Sequence, residues 1–353
     1  MLFAPFSVSI EKAHFFYARM SVKQGRNDDS AASKYNVFNI FIYHMEDVMT
    51  KNFEGLLSKV NECETKKLAV AVAQDRPVLE AVKLAKERKI ADAILVGDED
   101  QIRAIGAEIG MNMDEFKIID EKDVVEASLK AVKLVHDGEA DMYMKGILPT
   151  GTFLKSVLNK EVGLRTGKPL SHVCVFEIPG FDRLLFLTDV AFMPYPTLEE
   201  KKCMIEYTVD VAKACGVDGP KVAVLAALET VNEKMPCTVD AAELSRMQEA
   251  GEIKDCIVEG PLSMDIALYK EAAEEKGALG RKVAGDADIL VFPDIHAGNL
   301  VYKTMVHMVD CKNGNILTGT KAPVILTSRS DSVEVKINSI ALAAVVAEQM
   351  KNR

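Results

Sequence analysis

The sequence predicts an α/β protein with a mainly parallel sheet that helices cover on both faces. Two observations lead to this prediction. Short apolar runs of strand length alternate with helical patterns from residue 66 to the end, and these runs are apolar throughout instead of alternating with polar residues. With 353 residues, 48% of them hydrophobic, the chain is long enough for two such domains.

The alternation is clearest in the first half of the chain. A strand is predicted in "KKLAVAVAQ" (66–74), and the helix after it has Pro77 near its start and Val78, Val82 and Ala85 on one face. Further strands are predicted in "ADAILVGD", "FKIID" and "ADMYMKG", with helices in "EDQIRAIGAEIG" and "KDVVEASLKAVKLVHDGE" between them. A doubly wound arrangement follows from this order of elements.

A change of pattern in the middle of the chain predicts a second domain. The runs "SHVCVFEI" (171–178) and "RLLFLTDVA" (183–191) are separated only by "PGFD", as in an antiparallel hairpin. The alternation then resumes with a long helix closed by Gly216, and it ends with the strand "APVILTS" and a helix over 333–351. Because no glycine-rich linker separates the halves, we expect structure to bridge them and leave a cleft, with ligands beyond the carboxyl ends of the strands.

The first 44 residues differ from the rest. They contain nine of the 22 Phe and Tyr residues and show neither helical nor alternating order. We predict that residues 1–44 form a poorly ordered N-terminal extension and that a helix starts at Met45.

Composition and motifs exclude several classes of protein. A net charge of −10 argues against nucleic acid as a partner, and the chain has no apolar run long enough to span a membrane. The seven scattered cysteines indicate unpaired thiols in a reducing cytoplasm. No Gly-x-Gly-x-x-Gly follows the first strand, and "GNILTGTKA" lacks the Walker spacing, which disfavours a common nicotinamide or nucleoside-triphosphate enzyme.

Four strand exits, meaning the residues directly after a predicted strand, contain candidate ligand-binding side chains. The first exit begins at "KGILPTGTFLK", where a strand turns into a helix whose N–H groups favour anions. An ordinary turn with solvated basic side chains is the alternative. The candidates at this exit are Lys145, Gly146, Thr150, Lys155 and Arg165.

The second and third exits offer acids and an amide. Asp189 follows "LLFLT" and is either a ligand contact or a cap. Asp294 ends the strand "ADILVF"; Gly298 would let a ligand approach the backbone, and Asn299 can donate from its amide. His296 is either a general base or a structural residue of the turn.

The fourth exit is "TSRSDS", where Ser328 and Arg329 precede the final helix. A guanidinium beside hydroxyls suits a tetrahedral oxyanion, because its fork donates to two oxygens at once. Asp331 or Glu334 could accept a proton beside that anion. The alternative is a polar turn with Ser332 as the N-cap of the helix.

Several motifs together resemble the phosphate acetyl/butyryltransferase family. "GDADILVFPDIHAGNLVYK" and "VILTSRSDS" are similar to the family as a whole. "LAALETVNEKMPCTVDAAEL", "GLRTGKPLSHVCVFEIPG" and "IVEGPLSMDIALYKEAA" resemble its butyryl branch in particular. The resemblance covers roughly residues 50 to 350.

The resemblance implies a fold and a reaction. It implies two doubly wound domains of the isocitrate/isopropylmalate dehydrogenase-like superfamily, with the active site in the interdomain cleft. The first domain would comprise residues 45–167 plus 315–353, and the second residues 168–314. The implied reaction transfers an acyl group, butyryl in this branch, between coenzyme A and inorganic phosphate. Coenzyme A would be a substrate; no metal or permanently bound cofactor is implied, and the protein would be a homo-oligomer, a dimer or larger, in the cytoplasm that the cysteines indicate.

The resemblance also implies roles for residues and exposes one departure. Arg329 would bind phosphate or acyl phosphate, and Ser328 would hydrogen-bond the reacting groups. The aspartate that serves as base in the acetyl branch falls at Val335, so Asp331 and Glu334 are both open as its substitute. A second arginine of that branch falls near Lys155, which keeps the charge but loses the fork.

Three alternatives remain at this point. The enzyme could prefer acetyl, because apolar pockets discriminate poorly between chain lengths. The valine at 335 also allows a non-catalytic regulator that binds acyl-CoA. A metal-dependent hydroxyacid dehydrogenase of similar fold would need a cluster of aspartates on one helix, and the sequence shows none.

Overall fold

An eleven-stranded sheet lies at the centre of the part of the chain that the computed structural model describes, residues 51–328 and 331–352. The strands are β1 Lys66–Ala71, β2 Ala91–Gly97, β3 Lys117–Asp120, β4 Met142–Lys145, β5 Ser171–Glu177, β6 Leu185–Thr188, β7 Lys221–Leu225, β8 Ile257–Leu262, β9 Ile289–Val291, β10 Lys312–Thr318 and β11 Val324–Ile325. The proposed extension over 1–44 and the helix start at Met45 lie outside these residues.

Eleven α-helices surround the sheet in the same described residues. They are α1 Phe53–Glu62, α2 Arg76–Glu87, α3 Glu99–Glu108, α4 Val124–His136, α5 Thr150–Val157, α6 Leu198–Ala214, α7 Pro236–Glu249, α8 Met264–Leu268, α9 Lys270–Glu275, α10 Ile295–Met308 and α11 Val333–Lys351. A 3₁₀ turn at Met113–Glu115 precedes β3. None of these helices is long and apolar enough to cross a membrane.

The α/β class predicted from the sequence is confirmed, with differences in detail. Gly216, which has a positive φ of 93°, follows the C-cap of α6 as expected. The segment predicted as one helix near residue 270 is two short helices, α8 and α9, with Tyr269 between them. Within the described residues the first helix begins at Phe53, and Asn52 caps it by accepting from the Gly55 N–H at 2.8 Å.

The strand order is β3-β2-β1-β4-β11-β10-β5-β6-β9-β7-β8. Pairings are parallel from β3 to β11 and again from β6 to β8. The three central pairings, β11–β10, β10–β5 and β5–β6, are antiparallel, and the last of these is the predicted hairpin. Three reversals make the parallel strands of one half run opposite to those of the other. The carboxyl ends of β4 and β11 therefore point to one edge of the sheet, and those of β6 and β9 to the other.

Strand β10 was not predicted, because Asn313, Gly314 and Asn315 are poor strand formers. All seven of its residues nevertheless pair with β5. Helix α11 lies along its other side: the Asn338 side chain donates to the Asn313 carbonyl at 3.2 Å, and the Asn315 N–H donates to Ser339 Oγ at 2.8 Å. A Cβ on Gly314 would lie 3.0 Å from the Asn338 backbone, so the glycine permits this close approach.

The end of the chain packs into the first half of the sheet. Strand β11 pairs with β4 in parallel, α11 packs against α2, and buried Lys66 at the start of β1 forms an ion pair with Glu348 near the end of α11. A discontinuous first domain is compatible with this arrangement. The sheet is continuous across both halves, however, so the predicted boundaries near residues 167 and 315 stay a prediction.

Replacing Glu348 by Gln is expected to lower the free energy of unfolding at pH 7 by about 1–3 kcal/mol, because Lys66 would keep a buried charge without its ionic partner. The hydrogen bond from Lys66 lowers the pKa of Glu348. Its contribution is therefore complete at neutral pH, begins to fade below the ordinary glutamate pKa of about 4.3, and is lost as the pH falls through the lowered value.

Urea unfolding of both proteins at pH 7 and pH 4 measures this contribution. Glu64→Gln is the matched control, because the Glu64–Lys351 pair lies at the same end of α11 but is exposed. Equal losses in the two variants would contradict the prediction.

Candidate active site

The turn between β11 and α11 is held by its own polar groups. The Ser328 N–H donates to Asp331 Oδ2 at 2.7 Å, and the Asp331 N–H donates to the Ser328 carbonyl at 3.2 Å. Ser332 caps α11 by accepting from the Val335 N–H at 3.2 Å, as the polar-turn alternative predicted. Ser328 is exposed and Asp331 half-buried. Arg329 lies outside the described residues, so its role stays a prediction.

A buried lysine lies against this turn, and sequence reasoning missed it. Lys336 is 1% exposed, and its Nζ donates to the Asp331 carbonyl at 2.6 Å and to the Ser328 carbonyl at 3.4 Å. Burial lowers the pKa of Lys336, while the charges of Asp331 and Asp75 raise it. The available signal was a single cation in the first turns of the mostly apolar run "VEVKINSIALAAVV".

A buried histidine is the second feature that the sequence analysis missed. His172 on β5 is 4% exposed, and its Nδ1 has no hydrogen-bond partner among the described residues. Burial lowers the pKa of His172, and the nearby charges of Asp189 and Asp331 raise it. The ring thus lies within electrostatic reach of two acids that belong to different strand exits. His172 is the single histidine in the predicted strand "SHVCVFEI", and no periodic pattern there indicated a role in a site.

Asp189 holds the exit of β6 in place. It is 2% exposed, and its Oδ1 accepts from the N–H groups of Ala191 and Phe192 at 2.8 and 2.7 Å. Its Oδ2 accepts from the His172 N–H at 2.8 Å and from Ser171 Oγ at 3.2 Å. Both carboxylate oxygens therefore already bind the chain itself. The predicted contact of Asp189 with a ligand stays a prediction.

Asp294 is the N-cap of α10, because its Oδ1 accepts from the Ala297 N–H at 3.0 Å. His296, in the first turn of the same helix, is exposed and its Nε2 lies 2.9 Å from the hydroxyl of Tyr195. The predicted ligand contact of Asp294 and the choice between a base and a structural residue at His296 stay predictions.

Gly298 and Asn299 join α10 to the exit of β6. A Cβ on Gly298 would lie 2.2 Å from the Asp189 carbonyl oxygen, and the Asn299 side chain donates to the Val190 carbonyl at 2.9 Å. The glycine is thus needed for packing of the chain against itself, and its predicted role in ligand approach stays a prediction.

The exit of β4 combines a buried cation with a tight backbone contact. Lys145 is 5% exposed, and its Nζ donates to the Gly146 carbonyl at 3.4 Å. A Cβ on Gly146 would lie 2.2 Å from the Val72 carbonyl oxygen, so this position must be glycine for β4 to approach the end of β1.

Helix α5 begins directly after this exit. Thr150 is its first residue, where helix geometry leaves backbone N–H groups without intrahelical partners. Lys155 is in its last turn, and Arg165 follows on a segment that bridges to Thr320. Both side chains are exposed. Two exposed cations and the first backbone N–H groups of α5 thus follow β4 in the sequence.

The four predicted exits do not form a single group at one edge. Asp189, Gly298 and Asn299 belong to the edge where β6 and β9 end, whereas Lys145 and Ser328 follow strands that end at the other edge. His172 connects the two groups electrostatically, since the charges of Asp189 and Asp331 both act on it.

A cavity of about 430 Å³ opens elsewhere, at the amino end of β2. Its lining includes Lys83, Lys86, Gly110 and Phe116, and none of the predicted site residues borders it. Within residues 51–328 and 331–352, no group of three or more His, Cys, Asp or Glu side chains could hold a metal ion.

Comparison with known proteins supplies the context for this geometry. The profile of the family described as "Phosphate acetyl/butaryl transferase" matches residues 53–128 and 121–344. The chain is 59% identical over 299 residues to phosphate butyryltransferase from Clostridium acetobutylicum, which covers 85% of this chain and 99% of that protein. It is 46% identical over 282 residues to phosphate acetyltransferase from Thermotoga maritima, covering 80% and 95%.

A solved structure is also similar to this chain, in both fold and sequence. The crystal structure of a branched-chain phosphotransacylase from Enterococcus faecalis aligns with a TM-score of 0.71 and 34% sequence identity, over 80% of this chain and 99% of that one.

Gly298→Ala is expected to lower the free energy of unfolding by about 1–3 kcal/mol, because the new methyl group would push α10 away from the Asp189 carbonyl. Urea unfolding measures the loss. Gly280→Ala is the control, because a Cβ there meets no atom within 4 Å. A loss no greater than that of the control would show that the close approach does not constrain the fold.

Proposed function

The chain belongs to the phosphate acetyl/butyryltransferase family, and from this premise we propose that it transfers a short-chain acyl group, butyryl, reversibly between coenzyme A and phosphate. The likeness to a phosphate butyryltransferase over nearly its whole length carries this proposal. In the forward direction a phosphate oxygen bonds to the thioester carbonyl carbon and the carbon–sulfur bond breaks. The coenzyme A thiolate leaves with the electron pair and takes up the proton that the attacking hydrogen phosphate releases, relayed by a carboxylate of the enzyme. In the reverse reaction the carboxylate takes the thiol proton, and it ends on the released phosphate.

Direct transfer in a ternary complex needs both substrates in one place, and orientation alone can contribute up to roughly 7–11 kcal/mol. We assign phosphate binding to Arg329 and hydrogen bonding of the reacting groups to Ser328. The exposed cations Lys155 and Arg165 and the first turn of α5 would attract the phosphates of the substrates. Lys145 is the last residue of β4, the strand before this helix, and we assign it to the same site.

We propose Asp331, and not Glu334, as the group that exchanges the thiol proton. Asp331 is half-buried, and its charge acts on the buried side chains of His172 and Cys174. Glu334 is exposed. Its charge contributes to the raised pKa of Lys312, the first residue of β10. A base works best at a position from which water is excluded, which favours Asp331.

Asp331→Asn is expected to lower kcat by about 10²–10⁴-fold, because the amide cannot accept the thiol proton. Glu334→Gln, the matched control, should change kcat far less. The rate of acyl-CoA formation from acyl phosphate and coenzyme A measures both. The opposite order of effects would assign the role to Glu334, and two small effects would exclude both carboxylates.

Two substrates that react directly with each other must bind side by side, and a cleft between two domains provides such a place. We propose that residues 45–167 plus 315–353 form one domain and residues 168–314 the other, in the manner of the isocitrate/isopropylmalate dehydrogenase-like superfamily. The reversal of strand direction at β10 and β5 supports a junction there. We further propose a homo-oligomer without a permanently bound cofactor. A cytoplasmic location suits coenzyme A as a substrate, and the seven free thiols support it.

Two other functions are supported by specific observations. The 46% identity to a phosphate acetyltransferase favours acetyl preference as the second candidate. Val335, at the position where the acetyl branch has an aspartate, favours a regulator that binds acyl-CoA without turnover.

Release of coenzyme A from acetyl-CoA and from butyryl-CoA, each with and without phosphate, distinguishes these functions. We expect release that depends on phosphate and is faster with butyryl-CoA. Faster release from acetyl-CoA would reverse the substrate preference. Binding of both thioesters without any release would overturn the proposed enzyme in favour of the regulator.

A further inference from the structure

Lys336 is attached to both ends of the turn that contains the predicted phosphate-binding pair. Its Nζ donates to the carbonyls of Ser328 and Asp331, at 3.4 and 2.6 Å. These two carbonyls are on either side of Arg329 and Ser330 in the sequence, so a single side chain fixes the positions at which this short segment begins and ends.

Burying this cation is costly, and packing alone does not require it. Lys336 is 1% exposed, while most of its neighbours along α11 are apolar and equally buried. An apolar side chain of the same length would fill the space without the cost of desolvating an ammonium group. The lysine is therefore placed for its hydrogen bonds, and among the described residues both of these bonds go to the turn.

Nearby carboxylates offset part of the cost of burying this amine. Burial lowers the pKa of Lys336, and the charges of Asp331 in the turn and of Asp75 just before α2 act against that lowering. Asp75 makes no side-chain cap to its own helix. These charges thus reduce the cost of burying the ammonium group, while the two turn carbonyls accept its hydrogens.

We propose that Lys336 is a positioning residue of the acyl-transfer site, which holds Ser328 and Asp331, the two ends of the turn, in the arrangement required for phosphate binding. This inference rests on the proposed function, and it assigns a role to a side chain that does not itself touch the substrates. Misplacing such a turn by about 1 Å can cost about 100-fold in rate.

Lys336→Met tests the inference, with Lys66→Met as the matched control. Both lysines are buried: Lys336 is 1% exposed and Lys66 is 3% exposed. Lys336 belongs to α11 near its start, whereas Lys66 contacts the same helix near its other end, where it pairs with Glu348. We expect Lys336→Met to lower kcat/KM for phosphate by about 100-fold, mainly by raising KM for phosphate, with KM for acyl-CoA little changed. Lys66→Met should lose stability but keep the kinetics of the native chain.

Hydrogen exchange of the turn gives a readout that does not need activity. The amides of Ser328 and Asp331 are both hydrogen-bonded within the turn, and they should exchange at least about tenfold faster in Lys336→Met than in Lys66→Met. Unchanged KM for phosphate and unchanged exchange in a folded Lys336→Met protein would overturn the inference. If that variant does not fold, Lys336→Gln, which keeps a shorter donor, is measured against the same criteria.

Failure of the proposed function gives a different result. In that case the native chain itself shows no phosphate-dependent release of coenzyme A, and the exchange comparison alone decides whether Lys336 fixes the turn.

Discussion

The antiparallel pairing of β10 with β5 is the contact on which the rest of the structure depends. Seven residue pairs from Lys312↔Glu177 to Thr318↔Ser171 join two sets of parallel strands that run in opposite directions. The same pairing places His172, near the start of β5, opposite Leu317, and the charges of Asp189 and Asp331 both act on this histidine. Without the β10–β5 pairing, the two sets of parallel strands would not belong to one sheet.

Several polar residues at strand exits form hydrogen bonds to the backbone of the chain itself. Asp189, Asp294 and Asn299 all bind backbone groups of neighbouring segments, and Ser332 caps the final helix. Backbone groups that a strand leaves unpaired at its end must find partners, and short polar side chains supply them. The side chains at the turn before α11 follow the same rule, yet the turn also carries the chemistry proposed for the site.

Most helices and parallel strands could be predicted, because periodic burial of apolar side chains is local information. The closing helix over 333–351 has the predicted bounds. Strand β10 could not be predicted, since Asn313, Gly314 and Asn315 join the sheet only through contacts with α11 and β5. The same limit applies to the site: Lys336 and His172 owe their burial to segments distant in sequence, which no short motif reports.

Lys66 and Glu348 are 282 positions apart in the sequence. Strand β11, which pairs with β4, also lies in the late part of the chain. A ribosome therefore releases β1 to β4 long before their last partner exists. During that interval the edge of β4 is unpaired and open to contacts with other chains. Completion of the sheet is a late step of synthesis, and the turn containing Ser328 acquires its shape only at that step.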